Sequence, residues 1–267
     1  MVGLLIIVIF LVTALFAPAL SPQEPNKIAL QNRLTAPGQA GKDGTVYALG
    51  SDSLGRDILS RVIYGARVSL LVGLVAAALS MLIGCTLGLL AGYYGGLIDA
   101  VVMRLTDIQL AFPFNLLALT VLATLGGGLV QLILVMGVAR WVQFSRIVRA
   151  EVLSIKEREY IQAAHAIGFK SLSILFRHVL PNVVAPIIVV SSFLVATNIL
   201  SETTLSFLGL GVEASIPSWG SMLSEGRDFL DSGWWISTIP GLSIVFTVLG
   251  INLLGDWLRD YLDPKVL

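Results

Sequence analysis

His165 and His178 are the two histidines of the chain, and neither has a cysteine or carboxylate at metal-ligand spacing. A structural or catalytic metal needs three or four such donors, so no metal centre is expected. Cys85 is the single cysteine and cannot build a disulfide framework. A serine–histidine pair or paired aspartates within an apolar run would suit a membrane-embedded hydrolase. Both histidines instead fall in one polar loop, and the Leu254-Gly255-Asp256 carboxylate has no partner. Gly168-Phe169-Lys170-Ser171 mimics the end of the phosphate-binding loop G-x4-G-K-[ST], but Phe169 interrupts it and no upstream glycine stands at the required spacing. The chain is not expected to hydrolyse ATP, and no catalytic residue is assigned. Two polar groupings remain. Ser191, Asn198 and Glu202 follow i, i+7, i+11 and share one helix face, which suits a water-filled pathway or interhelical hydrogen bonds. Arg104 and Asp107, three apart, can pair on a helix.

The elements that carry these residues follow from composition. The 267 residues are 56% hydrophobic and 13% charged, with 17 basic and 17 acidic side chains. Soluble domains are about 45–50% apolar and about 25% charged. The balance leaves no basic excess for nucleic acid, and the apolar content excludes disorder. An integral membrane protein fits. A spanning helix needs roughly 20 apolar residues to cross a ~30 Å hydrocarbon core. Residues 2–20 supply one run, and 68–98, closed by Arg67 and Asp99, a second. Residues 108–139 would make a helix of about 48 Å, and Gly126-Gly127-Gly128 is its natural break. That predicts spans over 101–125 and 129–149. Residues 182–201 and 235–254 complete six, which places both termini on one side. The first run is expected to remain as a span, because no positive charge precedes it and it is too long for a leader.

Orientation follows the basic residues. Ten of them (Arg104, the seven from Arg140 to Arg177, Arg259 and Lys265) fall on the side of the 150–181 loop and the termini. Seven fall opposite, which puts that loop and both termini inside. The resulting division is a first span at 1–20, an outer loop at 21–67, a five-helix core at 68–258 and a tail at 259–267. The core includes the inner loop 150–181 and an outer loop 206–234. The 21–67 loop is irregular in its Pro- and Gly-rich first half. Its second half, 57–70, reads as an interfacial amphipathic helix with Ile58, Leu59, Val62 and Ile63 on one face. Gly84, Gly88, Gly92 and Gly96 line one face of the second span, permitting close approach by a subunit or by a helix of the same chain. Trp219, Trp234 and Trp235 in the 206–234 loop and just beyond are expected to anchor at the membrane surface, with the loop folded back or touching an outside partner.

The inner loop reads as two short helices. One covers 154–167 and ends at Gly168, a residue suited to a left-handed helix end. The other runs from an N-capping Ser171 toward Leu180, with Leu172, Leu175, Val179 and Leu180 on its apolar face and Pro181 as its stop. Ala163 and Ala164 leave the turn without bulk, so a partner surface can approach it.

Gln162-Ala163-Ala164, three residues, Gly168, eleven residues and Leu180-Pro181 resemble the EAA motif of ABC importer permeases. Gln162 replaces the usual Glu and His178 the usual Ile. His178 within Arg177–Asn182 resembles the peptide and nickel branch. Gly50-Ser51-Asp52, Gly55–Arg61, Leu205–Gly211, Pro217-Ser218-Trp219-Gly220, Asn252–Asp256, Arg259-Asp260 and Asp263-Pro264 resemble further segments of that branch. Over residues 50–264 the chain is similar to the C-type permease of dipeptide, oligopeptide and nickel importers. The resemblance implies an all-α polytopic type I importer permease with a cytoplasmic coupling helix, in a prokaryotic inner membrane. It implies a homologous B-type permease, two ABC ATPase subunits that hold ATP and Mg, and an extracytoplasmic binding protein. This chain would carry no cofactor of its own. Gln162, Ala163, Ala164, Gly168, Leu180 and Pro181 would form the coupling site. The neutral Gln162 would contact the ATPase more weakly than a charged Glu. The alternative is a secondary transporter, whose midplane helices Pro186 and Pro240 could break, but no segment recurs as a second copy.

Overall fold

The computed structural model describes residues 2–213 and 215–262. Asp263, Pro264 and Lys265, in the end of the tail expected at 259–267, lie outside the described residues. The chain is a helical bundle. α1 (Val2–Leu15) and α2 (Ala17–Leu20) are followed by a long loop. That loop contains one 3-10 turn and a short hairpin of β1 (Gln39–Ala40) and β2 (Val46–Tyr47), paired Gln39 to Tyr47. α3 (Ile58–Tyr94), α4 (Gly96–Leu110), α5 (Phe114–Leu125), α6 (Leu129–Ala139) and α7 (Trp141–Lys156) come next. The remainder is α8 (Glu159–Ala166), α9 (Ser171–Ile174), a π-helical turn at Leu175–Val179, α10 (Leu180–Phe207), α11 (Trp219–Gly226) and α12 (Trp235–Leu262).

Four helical stretches are long and apolar enough to cross a membrane: α3, α6–α7, α9–α10 and α12. The α4–α5 pair bends by 83° and makes a fifth if taken as one span. α1 is apolar but only 14 residues long, about 21 Å at 1.5 Å per residue. It packs on α12, where Gly3 lies against the Gly250 carbonyl and Gly250 against Ile6.

Several expectations change. Residues 57–70 do not form an interfacial helix. They are the first turns of α3, and Ile58, Ser60, Arg61 and Ile63 are buried within the protein. Asp57 caps that helix by accepting from the Ser60 amide at 2.8 Å. Arg67, which closed the expected span, lies exposed inside a continuous helix, and Arg61, earlier in the same helix, is buried against Asp52 and Glu225. At the other end α3 stops at Gly95 (φ +67) instead of reaching residue 98. The 101–125 span is also divided, at Ala111–Pro113. Proline cannot donate its missing N–H to the preceding turn, and the residue before it avoids helical geometry.

The glycine face of α3 meets α7 of the same chain. A Cβ on Gly84 would collide with the Trp141 carbonyl, one on Gly88 would sit 2.7 Å from the Ser145 carbonyl, and one on Gly92 would sit 2.8 Å from Val152 Cβ. Gly96, at φ +55 and with open space around it, is not part of this contact. The Arg104–Asp107 pair does not form either. Asp107 accepts from Arg146 at 2.6 Å, and Asp99 takes a two-pronged contact from Arg149. These pairs tie α4 to α7, joining elements instead of stapling one helix turn.

Pro181 does not stop its helix. The π-helical turn before it carries the chain from Ser171 through to Phe207. The wider π turn accommodates the proline ring and its missing donor, and Asn182 Nδ2 donates to the His178 carbonyl at 2.6 Å within the disturbed turn. Pro186 and Pro240 likewise sit inside continuous helices α10 and α12, so neither breaks a span.

Both long loops fold onto each other at one end of the bundle and form a cap. Trp219 and Trp235 are buried there and do not serve as membrane anchors, whereas Trp234 is exposed. Trp219 Nε1 donates to the Val62 carbonyl and Trp235 Nε1 to the Ser51 carbonyl, each at 3.0 Å. Satisfying the indole N–H lets these large rings bury their apolar area without an orphaned donor. The 206–234 loop therefore folds back, as expected. Between the loops lies a cluster of Asp52, Arg56, Arg61 and Glu225. Asp52 Oδ2 accepts from Arg56 at 2.6 Å and Arg61 at 2.5 Å, and Glu225 Oε2 accepts from both arginines at 2.6 Å. Two cations match two anions, which is what makes burial of charge tolerable.

Candidate functional site

The inner loop forms a knob at the end of the bundle opposite the cap. Its first helix differs from the expected 154–167. α7 continues to Lys156, Arg158 turns extended (ψ 141), and α8 begins at Glu159. α8 ends at a Schellman motif. Gly168 adopts φ +84, its N–H donates to the His165 carbonyl, and the Phe169 N–H donates to the Ala164 carbonyl at 3.1 Å. This is the left-handed helix end that the glycine predicted.

The motif residues divide into two groups. Ala164 is buried with Ile161 against Ile155, Ile174 and Leu175, and this contact seats α8 on α7 and α9. Gln162 and Ala163 face outward, and Gln162 Nε2 donates to the Glu157 carbonyl at 3.2 Å. Leu180 is half-buried against the core, and Pro181 is exposed. Of the apolar face expected on the second loop helix, Leu175 and Val179 are buried. Leu172 turns outward instead, joining exposed Ile167, Phe169 and Phe176. Large apolar side chains gathered on a polar loop are the kind of surface that meets another protein or the membrane.

Two contacts fix the knob to the bundle. His165 stacks on Tyr93 at the end of α3, with Nε2 3.3 Å from the tyrosine hydroxyl. Lys156 Nζ donates to the Tyr93 carbonyl at 2.9 Å. His178 meets Phe169 edge to face. These contacts join the knob to the C-terminal end of α3.

The polar stripe on α10 faces α3. Asn198 and Glu202 are fully buried, Asn198 donating to the Gly73 carbonyl at 3.3 Å and Glu202 accepting from Ser69 and Ser206 at 3.1 and 2.7 Å. Ser191 bonds to the Ile187 carbonyl of its own helix at 2.7 Å. Within this chain Asn198 and Glu202 are interhelical hydrogen-bonding groups.

Arg140 falls within the expected 129–149 span and sits at the junction of α6 and α7, eleven residues from the start of the spanning pair. That is about 16 Å along the helix, well inside an element that crosses a ~30 Å core. A readable sign was available: the apolar run resumes after it with Trp141, Val142 and Phe144.

Cap, spans and knob together define a multi-pass helical membrane protein. Residues 84–267 match the family described as the inner membrane component of binding-protein-dependent transport systems, and residues 1–37 match the N-terminal transmembrane domain of oligopeptide transport permease C. The dipeptide transport system permease protein DppC of Alkalihalophilus pseudofirmus is 45% identical over 99% of this chain and 85% of the relative. The di/tripeptide permease DppC of Pseudomonas aeruginosa is 42% identical over 99% of this chain and 87% of the relative. The oligopeptide permease OppC of Bacillus subtilis is 40% identical over 100% of this chain and 85% of the relative. The chain belongs to the binding-protein-dependent transport system inner membrane component family, as an ABC permease of the dipeptide and oligopeptide type. A solved chain of the MetNI methionine ABC transporter, in an inward-facing form, shares the fold with TM-score 0.62 at 18% identity, over 77% of this chain and 98% of that chain.

Proposed function

We propose that this chain is the C-type permease subunit of an ATP-driven peptide importer and supplies half of the translocation pathway. Near-full-length identity of 40–45% to dipeptide and oligopeptide permeases carries this reading, and it favours peptides over nickel as cargo. The chain crosses the membrane six times, counting α1–α2 and the bent α4–α5 pair as one crossing each, with both termini in the cytoplasm. A homologous B-type permease forms the other half of the pathway. An extracytoplasmic binding protein delivers cargo at the cap. Two ABC ATPase subunits bind ATP and Mg, so the chain itself needs no cofactor.

α8 is the coupling helix. Exposed Gln162 and Ala163, with the apolar surface around Ile167 and Phe169, enter a cleft on one ATPase, and the Gly168 turn sets the shape of the tip. Leu180 and Pro181 pass that movement into α10. Closure of the ATPases then favours one of two permease arrangements because the knob makes different contacts in each. A neutral amide at position 162 makes a weaker contact than a carboxylate would.

The test is purification from native membranes in mild detergent, followed by reconstitution. The expected complex holds a second permease and two ATPases and takes up a labelled dipeptide only with ATP and the binding protein. A homomer that takes up peptide on an ion gradient alone would replace this reading with a secondary transporter.

A further inference from the structure

Arg140 is a cation within a spanning element, and among the described residues no carboxylate pairs with it. Its neighbours are neutral. One guanidinium nitrogen donates to Ser201 Oγ at 2.6 Å, the guanidinium carbon lies 4.0 Å above the Phe114 ring, and buried Nε has no partner. Charge in such a place is costly and is retained where it serves a pathway or a ligand.

The surroundings hold the arginine in that position. The α6–α7 break frees the Ala139 carbonyl, and Gln109 fills the gap. Gln109 Nε2 donates to Ala139 O at 2.7 Å, while its Oε1 accepts from Trp141 Nε1 at 3.0 Å. With the break satisfied, Arg140 leaves the helical path (φ −109, ψ 4) and turns its guanidinium toward Phe114 and Ser201. It borders a cleft of about 290 Å³, also lined by Phe114 and Gln143. That cleft shares Gln109, Leu117 and Ala139 with an apolar groove of about 560 Å³ beside α4, α5 and α6.

A lone cation at the mouth of an apolar groove suits a ligand with one carboxylate and uncharged side chains. The geometry points to Arg140 as the residue that binds the C-terminal carboxylate of the peptide in transit, with Gln109 as its positioning residue. The assignment rests on the peptide-importer reading above. The groove takes apolar side chains, and the guanidinium supplies charge-assisted hydrogen bonds in a site of low polarity.

The assembled importer in proteoliposomes tests this with alanyl-alanine and its C-terminal amide, each at saturating binding protein. Arg140→Gln is expected to lower uptake of the free acid by about 10- to 100-fold, the range for losing one hydrogen bond to a charged group. Uptake of the amide should stay unchanged, and Arg140→Lys should recover part of the loss. A second measurement needs no binding protein. In a Cys85→Ser background, Gln143→Cys should be shielded from a thiol reagent by alanyl-alanine and not by the amide, and adding Arg140→Gln should remove the shielding. An unchanged acid-to-amide ratio in Arg140→Gln would overturn the proposal. So would loss of the partner permease on purification, because Arg140 would then answer a partner's acid. If the wild type shows no ATP-dependent uptake, the importer reading falls, and shielding at Gln143→Cys still decides the carboxylate site.

Discussion

The two ends of this bundle solve opposite problems with the same elements. At the cap, two loops distant in sequence close over charges and indoles. Asp52 and Arg61 are almost wholly enclosed, the four charges of the cluster bond to one another, and the Trp219 and Trp235 indoles each reach a carbonyl. At the knob a single short helix stands out from the bundle with Ile167, Phe169 and Leu172 facing outward. The cap pairs its charges within the chain, whereas the knob leaves large apolar side chains exposed. Damage to the cap should therefore be read in stability and damage to the knob in coupling.

The largest effect is expected from Arg61→Met. It strips Asp52 and Glu225 of a shared cation, and breaking a buried ion pair from one side costs about 3–5 kcal/mol. Melting in detergent should fall sharply, with poor recovery from membranes. A melting temperature equal to the wild type's would mean that water reaches the cluster, and the contrast between the ends would weaken. Gly88→Leu comes next. Its side chain must displace the Ser145 carbonyl and Val148 on α7, and overpacking of this kind costs about 1–3 kcal/mol. A variant as stable as the wild type would show that α3 and α7 can separate without loss.

The knob variants sharpen the comparison from the other side. Gly168→Val forces a β-branched residue into left-handed geometry at φ +84, a strain of about 1–2 kcal/mol confined to the tip. The bundle should melt as before while ATP hydrolysis continues without transport. Normal substrate-stimulated transport by this variant would end the coupling role of the turn. Ala163→Glu is the mildest in stability, within about ±0.5 kcal/mol for an exposed position. It should nevertheless lose the ATPases during purification. Recovery of the intact complex would remove Ala163 from the docking face.

The knob was legible because its features are local. A glycine that ends a helix needs only its own backbone and the preceding turn, and the spacing from Gln162 to Pro181 lies within one short segment. Other local rules failed where tertiary surroundings outweighed them. Pro181 reads as a stop, but a π turn absorbed it. Arg67 reads as a span boundary because charge is excluded from lipid, yet α3 runs on through Arg67 to Ile58. Arg61 within those first turns is enclosed by protein, where Asp52 and Glu225 replace water, and half-buried Arg140 meets Phe114 and Ser201. Arg104 and Asp107 read as a pair from spacing alone, yet Arg146 reaches Asp107 from another helix.

The amino-acid sequence by itself determined that this is a membrane protein with several apolar crossings and a small-residue knob closed by Gly168. Hydrocarbon demands long uncharged runs, and a left-handed turn demands glycine, wherever the rest of the chain lies. Only the tertiary structure decided which helix the glycine face of α3 would meet. It also decided that the Asn198 and Glu202 side chains would bond to α3 and that Arg140 would stand within a spanning element without a counter-charge among the described residues. Those outcomes depend on distances between segments far apart in the chain, and no spacing rule within one segment contains them.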